Sequence, residues 1–189
     1  MSTVTKASTT RAGTRRLLSL WEGVVQDQAL LQKLIALHED YRLIDRSTFY
    51  WYARGLKGPA KPSNPLEELA EIVIETVRPE ALAGVEYWTN TLETGESMHM
   101  HQDKDEKLYW SRKELAHPLY STVFYPGQVP FEGGEIAVAA NRVQPGPNQL
   151  IAFRGSLPHG VGKVRSGARH SIALNLWDRT PSAYKAFEV

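Results

Sequence analysis

Cysteine is absent from the chain, which removes disulfides, thiolate metal sites and thiol nucleophiles and leaves imidazoles and carboxylates as the strong metal ligands. The same absence is compatible with a reducing cytoplasm, the compartment expected here. No run approaches the roughly 18 apolar residues that a membrane span needs, and the N-terminus lacks the apolar stretch of a secretory signal. A dominant charge is missing too. Lys plus Arg number 22 against 21 Asp plus Glu, so neither nucleic acid nor an acidic membrane is expected as the main partner. Nothing in the composition states an oligomeric state. What remains is chemistry at a local site, on 189 residues that are 42% hydrophobic and suffice for one globular domain with a sizeable core.

Residues 1–14 are rich in Ser and Thr, carry Lys6 and Arg11 and contain no acid. They read as a disordered basic tail rather than a targeting segment, since nothing before Leu17 is amphipathic. Residues 15–189 read as a single domain, with helical support over 15–83, a β core over 84–178 and a C-terminal tail over 179–189. From Arg15 to about Arg42 apolar residues recur at helical spacing (Leu17, Leu18, Trp21, Val24, Val25, Leu30, Leu31, Leu34), which predicts one long helix or two broken near Asp27. A second helix has Ser63 or Asn64 as its cap, Pro65 at its start, acids in its first turn and Pro79 as its stop. Between them, 46–62 reads as a loop carrying Phe49, Tyr50, Trp51 and Tyr52 beside cationic side chains.

After Gly84 the apolar period changes to two. Strand-like runs appear at Val85–Leu92, Ser97–Asp103, Leu119–Tyr125, Glu135–Ala140, Gln149–Phe153 and Arg169–Trp177, separated by turn signals such as Thr94-Gly95, Gly133-Gly134 and Pro145-Gly146-Pro147. Helices first and strands afterwards predict an α+β domain, with a β-sandwich or barrel carrying the site and the N-terminal helices covering one sheet.

Within that β region, His101 and Asp103 stand two apart on an extended segment, so an imidazole and a carboxylate face the same way. A lone His-x-Asp is common. His159, in the glycine-rich turn Gly155–Gly162, supplies a second imidazole, and two imidazoles plus one carboxylate on one face of an iron leave three neighbouring positions open. Ten residues on comes Arg169, then Ser171 at the next position on the same face. An Arg inside an apolar strand is costly unless an anion meets it: taken alone, a structural salt bridge at the strand's mouth accounts for it, and a bidentate partner such as the distal carboxylate of 2-oxoglutarate would also satisfy it with the Ser171 hydroxyl beside it.

Taken in order, His101-x-Asp103, the turn Phe131-Glu-Gly-Gly-Glu135, the strands Ile136–Ala139 and Leu150–Phe153, His159 and Arg169-x-Ser171 resemble the iron(II)- and 2-oxoglutarate-dependent dioxygenases, within them the prolyl 4-hydroxylase-like branch. The resemblance runs from about Gly84 to Asp178. It implies a double-stranded β-helix (jelly-roll, cupin-like) barrel, Fe(II) on His101, Asp103 and His159, 2-oxoglutarate on Arg169 and Ser171, and O2 as oxidant. It adds Tyr125 as a further partner of the distal carboxylate and Tyr87 as the aromatic that precedes the His-x-Asp motif. The implied reaction is hydroxylation of an unactivated carbon of a small molecule, amino acid or peptide, with release of succinate and CO2, as in a biosynthetic hydroxylase. Retention of Asp103 favours hydroxylation over halogenation, since related halogenases have a small residue there.

Two rival readings accompany it. Gly95-x-x-x-His99-x-His101-x-x-x-x-Glu106 resembles the first motif of cupins, which would put metal on His99, His101, Glu106 and His159. That reading lacks the glycine expected beyond Glu106 and leaves Arg169 unexplained. The other rival is a non-catalytic barrel that binds a small acid. His38, His117 and His170 read as structural or surface residues. Tyr50 and Trp51 of the 46–62 loop, with Tyr87, Tyr109, Trp110 and Arg112, are the candidates for the substrate mouth.

Overall fold

A computed structural model of the chain describes residues 17–37, 49–53, 61–127 and 130–185. The expected basic tail, His38, the end of the first predicted helix toward Arg42, most of the 46–62 loop and the last four residues lie outside these. In chain order the elements are β1 (Leu18–Glu22), α1 (Gln28–Ala36), β2 (Tyr50–Ala53), α2 (Pro65–Val77), β3 (Gly84–Leu92), β4 (Met98–His101), α3 (Glu106–Arg112), β5 (Tyr120–Tyr125), β6 (Glu132–Gly133), β7 (Ile136–Val138), β8 (Asn141–Val143), β9 (Gln149–Arg154), β10 (His159–Val161), β11 (Val164–Ser166) and β12 (Arg169–Trp177). The fold is α+β. No helix among the described residues is long and apolar enough to cross a membrane.

Local chemistry explains the helices. Asn64 caps α2 by accepting from the amides of Leu66 and Glu67 at 2.9 and 3.0 Å, while Glu67 reaches back to the Ser63 amide and hydroxyl, both at 2.7 Å. Pro65 occupies the first turn and Arg78 closes the helix in the left-handed region at φ 52° before Pro79. Leu66, Leu69, Ala70 and Val73 form its buried stripe. Asp27 caps α1 in the same way.

The predicted helix at 15–42 is corrected at its beginning. Leu18–Glu22 is a strand, β1, paired antiparallel with β9. Leu18 and Leu20 pack into one core and Trp21 into the other, so the same leucines that fit a helical period also fit alternation. Tertiary pairing decides. Likewise, part of the expected 46–62 loop is the strand β2, which pairs with β3.

Six strands form one sheet in the order β1-β9-β5-β12-β3-β2, and four form a second in the order β4-β10-β7-β8. Alternation along β12 separates the layers. Ile172, Leu174 and Leu176 join the core under α1 and α2 with Leu34, Leu69 and Val73. Arg169, Ser171, Ala173, Asn175 and Trp177 take the opposite face. On that side, Tyr125, Ile136, Val138, Ile151 and Phe153 form a core between the two sheets. The N-terminal helices therefore cover one face of the larger sheet, as expected, and the other face is left for the site.

Leu174 is fully buried at the centre of the helix-side core. Leu174→Ala is expected to lower stability by about 2–5 kcal/mol, read as a reduced urea midpoint with little change in slope.

Candidate metal centre and anion pocket

Two neighbouring strands and the segment just past one of them bring three candidate ligands together. His101 ends β4 and His159 begins β10, and these two residues face each other directly across the antiparallel pair. Their rings stand 4.3 Å apart between centroids. Close approach of β4 and β10 depends on Gly160, because a Cβ there would lie 2.7 Å from the Met98 carbonyl oxygen. Asp103, just past β4, brings Oδ1 to 3.9 Å from His101 Nε2 and Oδ2 to 3.5 Å from His159 Nε2. One ligand atom from each of the three lies within 4.8 Å of the others.

The neighbours hold these groups in ligating orientation. His101 Nδ1 meets the His99 carbonyl at 2.8 Å and His159 Nδ1 the Leu157 carbonyl at 3.1 Å, so both rings donate from Nδ1 and present the Nε2 lone pair. Ser121, on β5, donates to Asp103 Oδ2 at 2.6 Å, and the His117 ring donates to the Asp103 carbonyl at 2.6 Å. Neither support was anticipated. Ser121 shares a face of β5 with Val123 and Tyr125, so alternation counted back from Tyr125 would have found it. His117 fills the structural role expected of it, but for the metal motif itself.

Burial is the largest influence on His159, and it pushes the imidazole below its ordinary value of 6.5. Asp103 and the bond to Leu157 pull it upward, and His101 opposes them. Neutral imidazole is the ligating form.

Arg169 opens β12 at 2% exposure. Its Nε donates to the Gly134 carbonyl at 3.1 Å, one terminal nitrogen to Ser171 Oγ at 3.2 Å, and the other to the Tyr125 hydroxyl. The guanidinium also stands 4.9 Å from the Tyr125 ring centroid. Among the described residues no carboxylate lies within ion-pair distance of it. Gly134 is at φ +63°, and a Cβ there would come 2.9 Å from Arg169 Cδ, so the turn before β7 must be glycine for the arginine to lie under it. Arg169, Ser171 and Tyr125 are thus brought together. Ser121 and Tyr125 share one face of β5, the first touching Asp103 and the second Arg169.

The remaining expectations fare unevenly. His159 is on a strand rather than in the preceding turn. Tyr50 and Tyr87 stack at 5.5 Å on the helix side of the larger sheet, where the Tyr87 hydroxyl meets Glu67 and Asn64 at 3.2 and 3.3 Å. Neither joins the cleft beside the metal group. Trp110 projects from α3 at 69% exposure and is not on the cleft wall, and Trp51 reaches it only by stacking on Tyr184 at 5.5 Å. The cleft, about 860 Å³, is walled instead by Phe49, Trp88, Trp177 and Tyr184 with His101 and Asp103. Strand alternation, which turns Tyr50 and Tyr52 toward the helices, is the reason. His99 and Glu106 stay outside the ligand group. His170 bonds Thr91 at 2.9 Å.

No family model matches the chain, and no curated protein matches it in sequence. Solved structures do share its fold. A prolyl 4-hydroxylase of Pseudomonas putida is 17% identical, covering 87% of this chain and 89% of its own, at TM-score 0.56. A 2OG-Fe(II) oxygenase family oxidoreductase of Burkholderia pseudomallei is 16% identical, with coverages of 87% and 86%, at 0.58. The viral collagen prolyl hydroxylase of Paramecium Bursaria Chlorella virus-1, in a 2OG complex, is 14% identical, with coverages of 87% and 97%, at 0.59. At these identities the likeness is one of fold, shared with two prolyl hydroxylases and a 2OG-Fe(II) oxygenase family protein.

Because the folded His159 binds its proton less readily than an unfolded imidazole, the unfolded state is protonated first as pH falls below about 6.5. This group's contribution to the stability of the metal-free protein is expected to be lost on acidification, by at most about 1.4 kcal/mol per pH unit. Thermal melts from pH 8 to 5 should show the loss, and His159→Gln should flatten it.

Proposed function

We propose that this chain is an Fe(II)- and 2-oxoglutarate-dependent dioxygenase of the prolyl 4-hydroxylase-like branch, on a double-stranded β-helix, that hydroxylates an unactivated carbon of a small molecule, amino acid or peptide. The observation that carries the reading is Arg169. A buried guanidinium that no carboxylate among the described residues pairs with is costly until an anion arrives, and its hydroxyl companions Ser171 and Tyr125 suit the carboxylate end of an organic acid.

The ligand group fits the metal. Two Nε2 atoms and a carboxylate from one side, with no thiolate, are the donor set of a facial non-haem iron site. His101, Asp103 and His159 would hold Fe(II), and Arg169, Ser171 and Tyr125 would hold the distal carboxylate of 2-oxoglutarate. When bound, iron and 2-oxoglutarate supply an oxidant from O2 strong enough for C–H hydroxylation, with succinate and CO2 as by-products.

The chain's own contribution is placement. Ser121 and the two backbone carbonyls hold the ligands in orientation before the metal arrives, so little rotamer freedom is lost on binding. Arg169 fixes the co-substrate from its far end and sets which way it lies. The sheet-to-sheet core of Ile151, Phe153, Ile136 and Val138 keeps water from the ligand side, with the Phe153 ring 4.8 Å from that of His159. Asp103 occupies the position that a halide would need, which favours hydroxylation.

Anaerobic addition of Fe(II) and 2-oxoglutarate is expected to produce a visible charge-transfer band, lost in an Asp103→Ala, His159→Ala double variant. An undiminished band in that variant would exclude this ligand set. Arg169→Gln is expected to weaken 2-oxoglutarate binding by about 2–5 kcal/mol while leaving metal affinity within a few-fold of the parent. Succinate release, followed by mass spectrometry for substrates gaining one oxygen atom, tests the reaction itself.

A further inference from the structure

Four carboxylates line the wall of the cleft, Glu86, Asp103, Asp105 and Glu106, and three of them have a local role in metal binding, helix capping or an ion pair. Asp103 belongs to the metal group. Asp105 caps α3 and accepts from the Ser182 amide at 2.7 Å. Glu106 pairs with Lys104 at 2.7 Å. The remaining acid is Glu86, on the face of β3 that carries Trp88. Its Oε1 accepts from the Tyr184 hydroxyl at 2.9 Å and its Oε2 from the Trp177 indole at 3.3 Å. Among the described residues no Lys, Arg or His comes within ion-pair distance of it.

Burial pushes the Glu86 carboxyl above the usual range, and Asp103 adds to the effect. Tyr184, Trp177 and Asn175 pull it back. These three donors are neutral, leave about one of a carboxylate's four lone-pair sites open and bring no positive charge. An amide could exchange one bond with each of Tyr184 and Trp177 without the cost of burying a charge, so those two bonds do not account for an acid. The wall around it is aromatic. Trp88 lies two residues on, with the Phe49 ring 4.8 Å away at 55°, and the Trp177 and Tyr184 rings line the same cleft. A carboxylate among aromatic rings is the chemistry that binds an organic cation.

We propose that the cleft recognises a substrate bearing a cationic nitrogen, an ammonium or guanidinium group, held by Glu86 against the aromatic wall of Trp88, Phe49 and Tyr184. This deepens the oxygenase reading and rests on it for the fate of the bound molecule. Ser121, Asn175 and Glu86 form one row across three neighbouring strands, roughly 10 Å from end to end at strand spacing. Ser121 is the residue that holds Asp103. The carbon presented to the metal is therefore a few bonds from the cation, the scale of a basic amino acid or a short amine. Lys107 is the remaining cation on the wall, on α3 and away from this row.

Tryptophan fluorescence titration with L-lysine and L-arginine, against their uncharged counterparts L-norleucine and L-citrulline, tests the proposal. It is run on the full chain anaerobically with Fe(II) and 2-oxoglutarate, and again without them. Each cation is expected to bind at least about tenfold more tightly than its neutral counterpart. In Glu86→Gln the advantage should fall to about twofold or less, while the charge-transfer titration with Fe(II) and 2-oxoglutarate keeps its midpoint. Equal binding of charged and neutral probes, no saturable binding of either cation, or an advantage retained in Glu86→Gln would overturn it. If the Glu86→Gln protein fails to melt cooperatively, the wild-type comparison decides alone. A missing charge-transfer band with the cation preference intact would defeat the oxygenase reading and leave the cation site. The reverse result would defeat only the site.

Discussion

A guanidinium between two β-sheets must be answered by negative charge, and much of the molecule's arrangement follows from having put one there. Arg169 is accommodated by a glycine turn that lets the strand before β7 pass over its side chain, by a tyrosine brought from β5 and by a serine two residues along its own strand. None of these is an anion. They solvate the guanidinium, and among the described residues no carboxylate comes within ion-pair distance of it. Under the proposed function, the distal carboxylate of a small dicarboxylic acid would supply the charge that these neutral groups do not.

The same ladder carries the opposite charge at its other end. Arg169 faces Leu92 and Asn175 faces Glu86 on the β3–β12 pair, six rungs apart, or roughly 20 Å along the strands. Ser121, which holds Asp103, lies on the same face, on the rung of Asn175. If both proposals hold, a co-substrate and a substrate of unlike charge would be oriented by this separation of charge.

Much of this could be read from the residues in order. His101, Asp103, His159, Arg169 and Ser171 are marked by type and spacing, because strand alternation converts a separation of two into a shared face. The cap of α2 was equally legible, since Asn64 and Pro65 act locally. Long-range pairing was not. Leu18 and Leu20 satisfy a helical period as well as a strand period, and only the presence of β9 decides between them. The substrate wall failed for a related reason. Tyr50 belongs to an aromatic run beside cationic side chains and Tyr87 precedes the motif, but parity along β2 and β3 turns them toward the helices, and on β3 the residues that do face the cleft, Glu86 and Trp88, sit one position from Tyr87. A strand register off by one residue exchanges the two faces completely.

β4 is the edge strand of the smaller sheet and is four residues long. It delivers His101 to the metal group, and Met98 and His101 together with Gln102 just beyond it to the wall of the cleft. The imidazole is tied to its own backbone through the His99 carbonyl, so ring and strand travel as one body. Cleft wall and candidate ligand are consequently the same piece of chain. A displacement of this edge that widened the cleft would also move the His101 nitrogen away from Asp103 and His159, so the width of the cleft on that side and the geometry of the ligand group would change together.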